Sequence, residues 1–141
     1  MKILFLILMF FVYLFGENFF RNDNYVVDKK HKLMWQDTKI NVTMLKNQKD
    51  SIKYCEDLKY LNFINWKLPT REQYEYILDK TRKDGLMINR KFKYILPGDY
   101  WTRETTWRSF GRYGYYIFLK SGTIYYNNKI YLKLIRCVRE L

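Results

Sequence analysis

The sequence predicts an α+β fold, with two helices packed on a small antiparallel sheet and long loops joining the elements. Three observations lead there. Two segments near the middle of the chain carry helix-period apolar spacing, at Lys46 to Leu61 and from Thr70 onward. The last third is strand-rich, with short aromatic and β-branched runs separated by turn residues. Aromatic residues make up 20% of the chain, so a core of this size must be built largely from Tyr, Phe and Trp.

The chain opens with MKILFLILMFFVYLFG. Lys2 stands as a charged n-region, and Ile3 to Phe15 then run without a charge. That run suits a signal h-region and falls short of the ~20 residues a membrane span requires. Residues 1–16 are therefore expected to be a signal peptide, and 17–141 a single exported domain with no stable membrane span after cleavage. Gly16 is the lone small residue near a cleavage point, so an uncleaved anchor extended by Phe19 and Phe20 stays open. The expected location is the periplasm, the cell surface or the medium.

Tyr25 to Val27 and Leu33 to Trp35 flank the charged turn Asp28 to Lys32, which predicts a hairpin. In the helix over Lys46 to Leu61, Ile52, Cys55 and Leu58 share one stripe, so Cys55 belongs to the buried face. Trp66 and Leu68 form a short extended piece, because Pro69 keeps its predecessor out of helical conformation. Thr70-Arg71-Glu72-Gln73 is a capping box, opening a helix of about nine residues with Tyr74, Ile77 and Leu78 inward. Asp79 to Asp99 is irregular, broken by Gly85 and Pro97-Gly98. Tyr100 to Thr105 predicts a strand, and Thr106 to Gly114 a long loop. Tyr115 to Leu119 and Thr123 to Tyr126 pair across Ser121-Gly122. Asn127-Asn128 then turns the chain into a last strand, Tyr131 to Arg139, where Ile135 and Cys137 share a face.

The net charge of +12 has two readings. One is attraction to polyanions such as lipopolysaccharide, acidic or sulfated glycans, or nucleic acid. The other is coding bias: the chain has no Ala, few Gly and Pro, and abundant Lys, Asn, Ile, Tyr and Phe. Export argues against nucleic acid as the partner.

Cys55 and Cys137 are the only cysteines, and an even pair in an exported chain predicts a disulfide. Closing so long a loop stabilises a fold by roughly 4 kcal/mol on the chain-entropy model. With one histidine, the pair cannot complete a four-ligand zinc site, and no metal or cofactor is expected. A free catalytic thiol with His31 as its base is the alternative.

Most other polar motifs have bland explanations. Glu72, Glu75 and Asp79 fit a solvated helix face better than a cation site. His31 falls in a charged turn and is expected to be exposed. Asn41-Val42-Thr43 matches a glycosylation sequon by chance. None of Ser51, Ser109 and Ser121 sits in a nucleophile elbow, so no catalytic residue is assigned. Trp35, Trp66 and Trp101 read as core anchors. Trp107 lies instead in Thr106-Trp107-Arg108-Ser109-Phe110-Gly111-Arg112-Tyr113-Gly114, where aromatic faces suit sugar rings and arginines suit carboxylate or sulfate. The candidate ligand-binding residues are Trp107, Arg108, Arg112 and Tyr113. The competing expectation is that Trp107 and Phe110 fold back onto the sheet.

Several short motifs in order carry a resemblance. They are Val27-Asp28 with Leu33-Met34-Trp35-Gln36-Asp37, Tyr54-Cys55, Asn65-Trp66-Lys67-Leu68-Pro69-Thr70, Tyr100-Trp101-Thr102 and Ile135-Arg136-Cys137-Val138-Arg139. From about Tyr25 to Arg139 the chain resembles a bacterial family of exported domains, domain of unknown function 1566. The family is also described as the C-terminal domain of a Legionella collagen-like adhesin. The resemblance implies a C-type-lectin-like fold, in which a disulfide joins the first helix to the last strand, as Cys55 and Cys137 would. Relatives with known roles bind glycans or host surfaces, or serve as display modules.

Two departures stand out. The first hairpin turn has His31-Lys32 where the family usually has Thr-Gly, and the loop between Trp101 and Tyr115 is short and basic. The Glu-Pro-Asn, Gln-Pro-Asp and Trp-Asn-Asp triplets of calcium-dependent lectins are absent. The expected function is a non-enzymatic binding module for an anionic glycan or an envelope or host-surface polymer. A structural or assembly subunit binding another envelope protein is the alternative. A formylglycine-generating-like oxidase is a minor one, since such enzymes use cysteines close together in sequence.

Overall fold

A computed structural model describes residues 17–141, and the expected signal segment at 1–16 lies outside the described residues. The α+β class stands, with strands in two sheets rather than one. The first sheet has β1 (Phe19–Asn22), β2 (Tyr25–Asp28), β3 (Leu33–Gln36) and β9 (Val138–Glu140) in the order β1-β2-β3-β9. The second has β4 (Leu45–Lys46), β5 (Asp99–Thr105), β6 (Tyr113–Phe118), β7 (Thr123–Asn128) and β8 (Lys133–Leu134) in the order β4-β8-β5-β6-β7. All pairs are antiparallel except β5 with β8.

The expected first hairpin is present as β2 and β3, with β1 added outside it. Lys32 takes a φ of 54° in its turn, the left-handed conformation a glycine adopts without strain. The last strand divides: β8 joins the second sheet and β9 the first, with Ile135, Arg136 and Cys137 crossing between them. Asn127 and Asn128 belong to β7, so the turn falls after them. The loop after β5 is also shorter than expected, because Tyr113 and Gly114 are already paired in β6.

A single helical turn, α1 (Ile40–Thr43), precedes α2 (Gln48–Asp57), whose first turn is capped by the Asn47 side chain accepting from the Asp50 N–H. Helix α3 (Arg71–Ile77) starts at the Thr70 capping box, in which Thr70 and Gln73 satisfy each other's free N–H groups. The two longer helices pack into different cores. Tyr74 and Ile77 of α3 meet Tyr100, Ile117, Trp35 and Val26, while Cys55 and Ile52 of α2 meet Trp101, Tyr116, Trp66 and Met34. Adjacent strand residues, such as Tyr100 and Trp101, thus face opposite cores, as strand alternation requires. The helices lie against opposite faces of the sheets.

Cys55 and Cys137 form a disulfide with Cα atoms 5.5 Å apart, which rules out the free-thiol alternative. Beside it lies a buried charge network. Arg136, fully buried, donates to the Gln36 carbonyl at 2.7 Å, to Asp37 at 2.9 Å and to the Tyr94 carbonyl. Asp37 also accepts from Arg21 and from the N–H groups of Lys93 and Tyr94. Burial pushes the Asp37 carboxyl up, but Arg136, the Lys93 N–H and Arg21 together hold it below its usual value of 3.8. The motifs around Gln36-Asp37 and Arg136-Cys137 therefore meet in space and build the frame.

Candidate functional site

Between β5 and β6 the chain forms a 3-10 turn over Arg108–Gly111, with φ of 52° at Ser109, 56° at Phe110 and 78° at Gly111. Three successive left-handed residues throw the turn outward instead of laying it on the sheet. Its base is fixed. The Thr106 N–H donates to the Tyr113 carbonyl at 3.0 Å, and the Arg108 N–H donates to the buried Thr106 hydroxyl at 3.2 Å. Trp107 is 84% exposed and Phe110 is 101% exposed, so neither folds back onto the sheet.

The Arg108 guanidinium lies 5.7 Å from the Trp107 ring centre and 5.6 Å from that of Tyr126 on β7. Tyr126 in turn packs on Tyr113 at 5.9 Å and edge-on to Tyr115 at 6.3 Å. Arg71, at the start of α3, covers Tyr115 at 3.8 Å. The result is a ladder of alternating cations and rings, running from the turn down the face of β6 and β7 that α3 covers.

The two arginines of this ladder differ in one respect. Arg71 grips Glu104 with Nε at 3.2 Å and an Nη at 3.3 Å, and its backbone N–H donates to the same carboxylate at 2.5 Å. Partial burial pushes the Glu104 carboxyl up, but the Arg71 contacts outweigh this and hold it below its usual value. Arg108 has ring neighbours and no carboxylate: among the described residues its side chain forms no ion pair or hydrogen bond.

Of the four sequence-assigned residues, Trp107, Arg108 and Tyr113 are brought together through Tyr126. Arg112 is exposed, joined to Lys129 through its backbone carbonyl at 3.0 Å, and its side chain stays outside the ladder. Tyr126, Tyr115, Arg71 and Glu104 were not foreseen. The hairpin register held a signal for one of them: pairing Phe118 with Thr123 places Tyr126 directly opposite Tyr115. Nothing local links Arg71 to Glu104, 33 residues away.

The other expectations resolve as follows. His31 is not freely exposed: it is half-buried, its Nδ1 2.7 Å from the buried Asp28 carboxylate and its ring stacked on Tyr76 at 3.6 Å. Asn41 of the sequon is fully buried, donating to Gln36 at 2.9 Å and to the Ile135 carbonyl at 3.0 Å, so it cannot receive a glycan as folded. Glu72 accepts from Tyr76, Glu75 pairs with Lys80, and Asp79 caps the turn at Thr81. Trp35, Trp66 and Trp101 are buried anchors.

Comparison with protein families matches the Lcl C-terminal domain over residues 24–139, nearly the whole described chain. The chain belongs to that family. This is the family the short motifs pointed to, and the motifs themselves line the buried frame and the two cores. No curated protein matches the chain. Among the described residues no helix is long and apolar enough to cross a membrane.

Proposed function

We propose that this Lcl C-terminal domain protein is an exported, non-enzymatic binding module that recognises an anionic glycan or surface polymer through its outward turn. The observation that carries the reading is Arg108, seated between Trp107 and Tyr126 with no internal anion to neutralise it. Such an arrangement offers a sugar ring two aromatic faces, and a sulfate or carboxylate one oriented guanidinium. Arg112 adds a second exposed cation to the same loop. Family membership supports a carbohydrate-binding or adhesion role, and the disulfide supports an oxidising location such as the periplasm or cell surface. A disulfide from the first long helix to the residue before the last strand also favours a C-type-lectin-like assignment of the fold.

A second reading, a structural or assembly subunit bound to an envelope protein, draws on a different surface. Ile130, Tyr131 and Leu132 are exposed in succession beside exposed Leu45. The Trp101 indole N–H bonds the carbonyls of both Lys46 and Tyr131, holding the two segments together.

The test is binding to immobilised neutral and anionic glycans at two salt concentrations, with Trp107→Ala and Arg108→Ala/Arg112→Ala beside the unaltered protein. A selective component of glycan binding that both variants remove is the expected result. Binding that disappears with modest salt yet ignores all three changes would make the charge generic. An absence of glycan binding, with an envelope protein copurifying, would favour the second reading.

A further inference from the structure

A separate cleft of about 490 Å³ opens where the Asn65–Lys67 segment, β5, β9 and the first turn of α3 converge. Its floor is rigid. Lys67 and Val138 exchange two backbone hydrogen bonds of 2.7 and 2.8 Å, and the Arg103 N–H donates to the Pro69 carbonyl at 2.9 Å. The side chains around it are overwhelmingly donors: Asn65, Lys67, Gln73, Arg103 and Arg139, with Glu140 the one acidic side chain.

Two of these donors are already oriented. Arg139 donates from Nε to the Ile64 carbonyl at 2.9 Å and lies over the Phe63 ring at 4.8 Å, leaving both Nη groups without a protein partner among the described residues. Gln73 gives its carbonyl oxygen to the Thr70 N–H of the capping box, so its amide N–H groups remain to donate. Lys67 and Arg103 form no ion pair among the described residues. Three cations and two amides outnumber the one acidic side chain around the cavity, a balance that suits an oxyanion.

We propose that this cleft binds a sugar-sized oxyanion, a single sugar ring carrying phosphate, sulfate or carboxylate, held by Lys67, Arg103 and Arg139. The volume of about 490 Å³ has room for a sugar ring beside the charged group. Asn65 and Gln73 supply amide donors for hydroxyls. This site shares no residue with the Trp107 turn, and it stands or falls independently of the function proposed there.

The test is calorimetric titration of the purified protein with glucose 6-phosphate, glucose 6-sulfate, glucuronate, glucose, inorganic phosphate and inorganic sulfate. Saturable binding of at least one sugar anion, tighter than either inorganic ion and absent for glucose, is expected. Lys67→Gln/Arg103→Gln should weaken it at least tenfold. Arg139→Gln should act in the same direction, and Glu140→Gln should tighten binding by removing the opposing charge. Neither Lys67 nor Arg103 makes a side-chain bond within the protein, so the double variant keeps its melting temperature and remains a valid test. Trp107→Ala and Lys120→Gln, remote from the cleft, should leave affinity within twofold. Absence of saturable binding, equal affinity for the inorganic ions, indifference to Lys67→Gln/Arg103→Gln, or an equal loss in Trp107→Ala or Lys120→Gln would each overturn the proposal.

Discussion

Arg136 and Arg108 are both arginines set against two aromatic rings, and they do opposite things. Arg136 lies 5.1 Å from Phe92 and 5.6 Å from Tyr100, fully buried, with Asp37 and two carbonyls as its acceptors. Arg108 has similar ring distances at Trp107 and Tyr126, but it is exposed and lacks a carboxylate. The seating is alike, and the supply of acceptors differs. Where the protein provides the anion, the arginine holds the frame together. Where it does not, the arginine is positioned for an anion from outside. Arg71, over Tyr115 and gripping Glu104 at the surface, is the intermediate case.

The largest effect should come from cutting the frame beside Arg136. Cys55→Ala/Cys137→Ala opens a bridge spanning 82 residues and should cost about 4 to 5 kcal/mol on the chain-entropy model, read as the shift in a urea unfolding midpoint. Next, Arg136→Met leaves Asp37 buried without its main partner and should cost about 3 to 5 kcal/mol by the same measurement. Acid attacks that network from the other side. The Asp37 carboxyl titrates below its ordinary value of 3.8 in the folded protein, so its stabilisation is complete above that pH. It is lost as pH falls through the lower folded value, and thermal melts should show a steep decline there that Asp37→Asn lacks.

Gly114→Ala probes the join between frame and turn. A Cβ there would overlap the Gln48 side-chain amide, whose Nε2 donates to the Thr102 and Glu104 carbonyls at 2.9 and 3.0 Å. Displacing Gln48 should cost about 1 to 3 kcal/mol, measured by melting temperature. Smallest of all should be the stability change in Trp107→Ala and in Arg108→Ala, within about 0.5 kcal/mol each. A large loss of stability in either would erase the contrast with Arg136 and make the turn a structural element.

How much was legible follows the range of the interactions. The Thr70 capping box and the β2–β3 hairpin are written in short-range patterns, and each formed where its pattern lay. Helix α2 is shorter than the Lys46 to Leu61 pattern, and it buries Gln48 and Ser51 with Cys55, while Ile52 is only partly covered and Leu58 falls past its end. The family motifs were legible as motifs, but their meeting was not: Gln36 and Arg136 stand 100 residues apart and bond at 2.7 Å. The same distance hid the division of the last strand, because local alternation from Tyr131 to Arg139 carries no sign that β8 and β9 pair with different partners.

By itself, then, the sequence determined the α+β class, the cysteine pairing, the three buried tryptophans and the cationic aromatic character of the turn. These rest on residue type and short spacing, which tertiary contacts seldom override. Only the tertiary structure decided that Trp107 stays in solvent, that Tyr126 completes its surroundings, and that Arg136 is enclosed while Arg108 is not. Burial and acceptor supply are set by what long-range pairing brings alongside, and no residue carries that information alone.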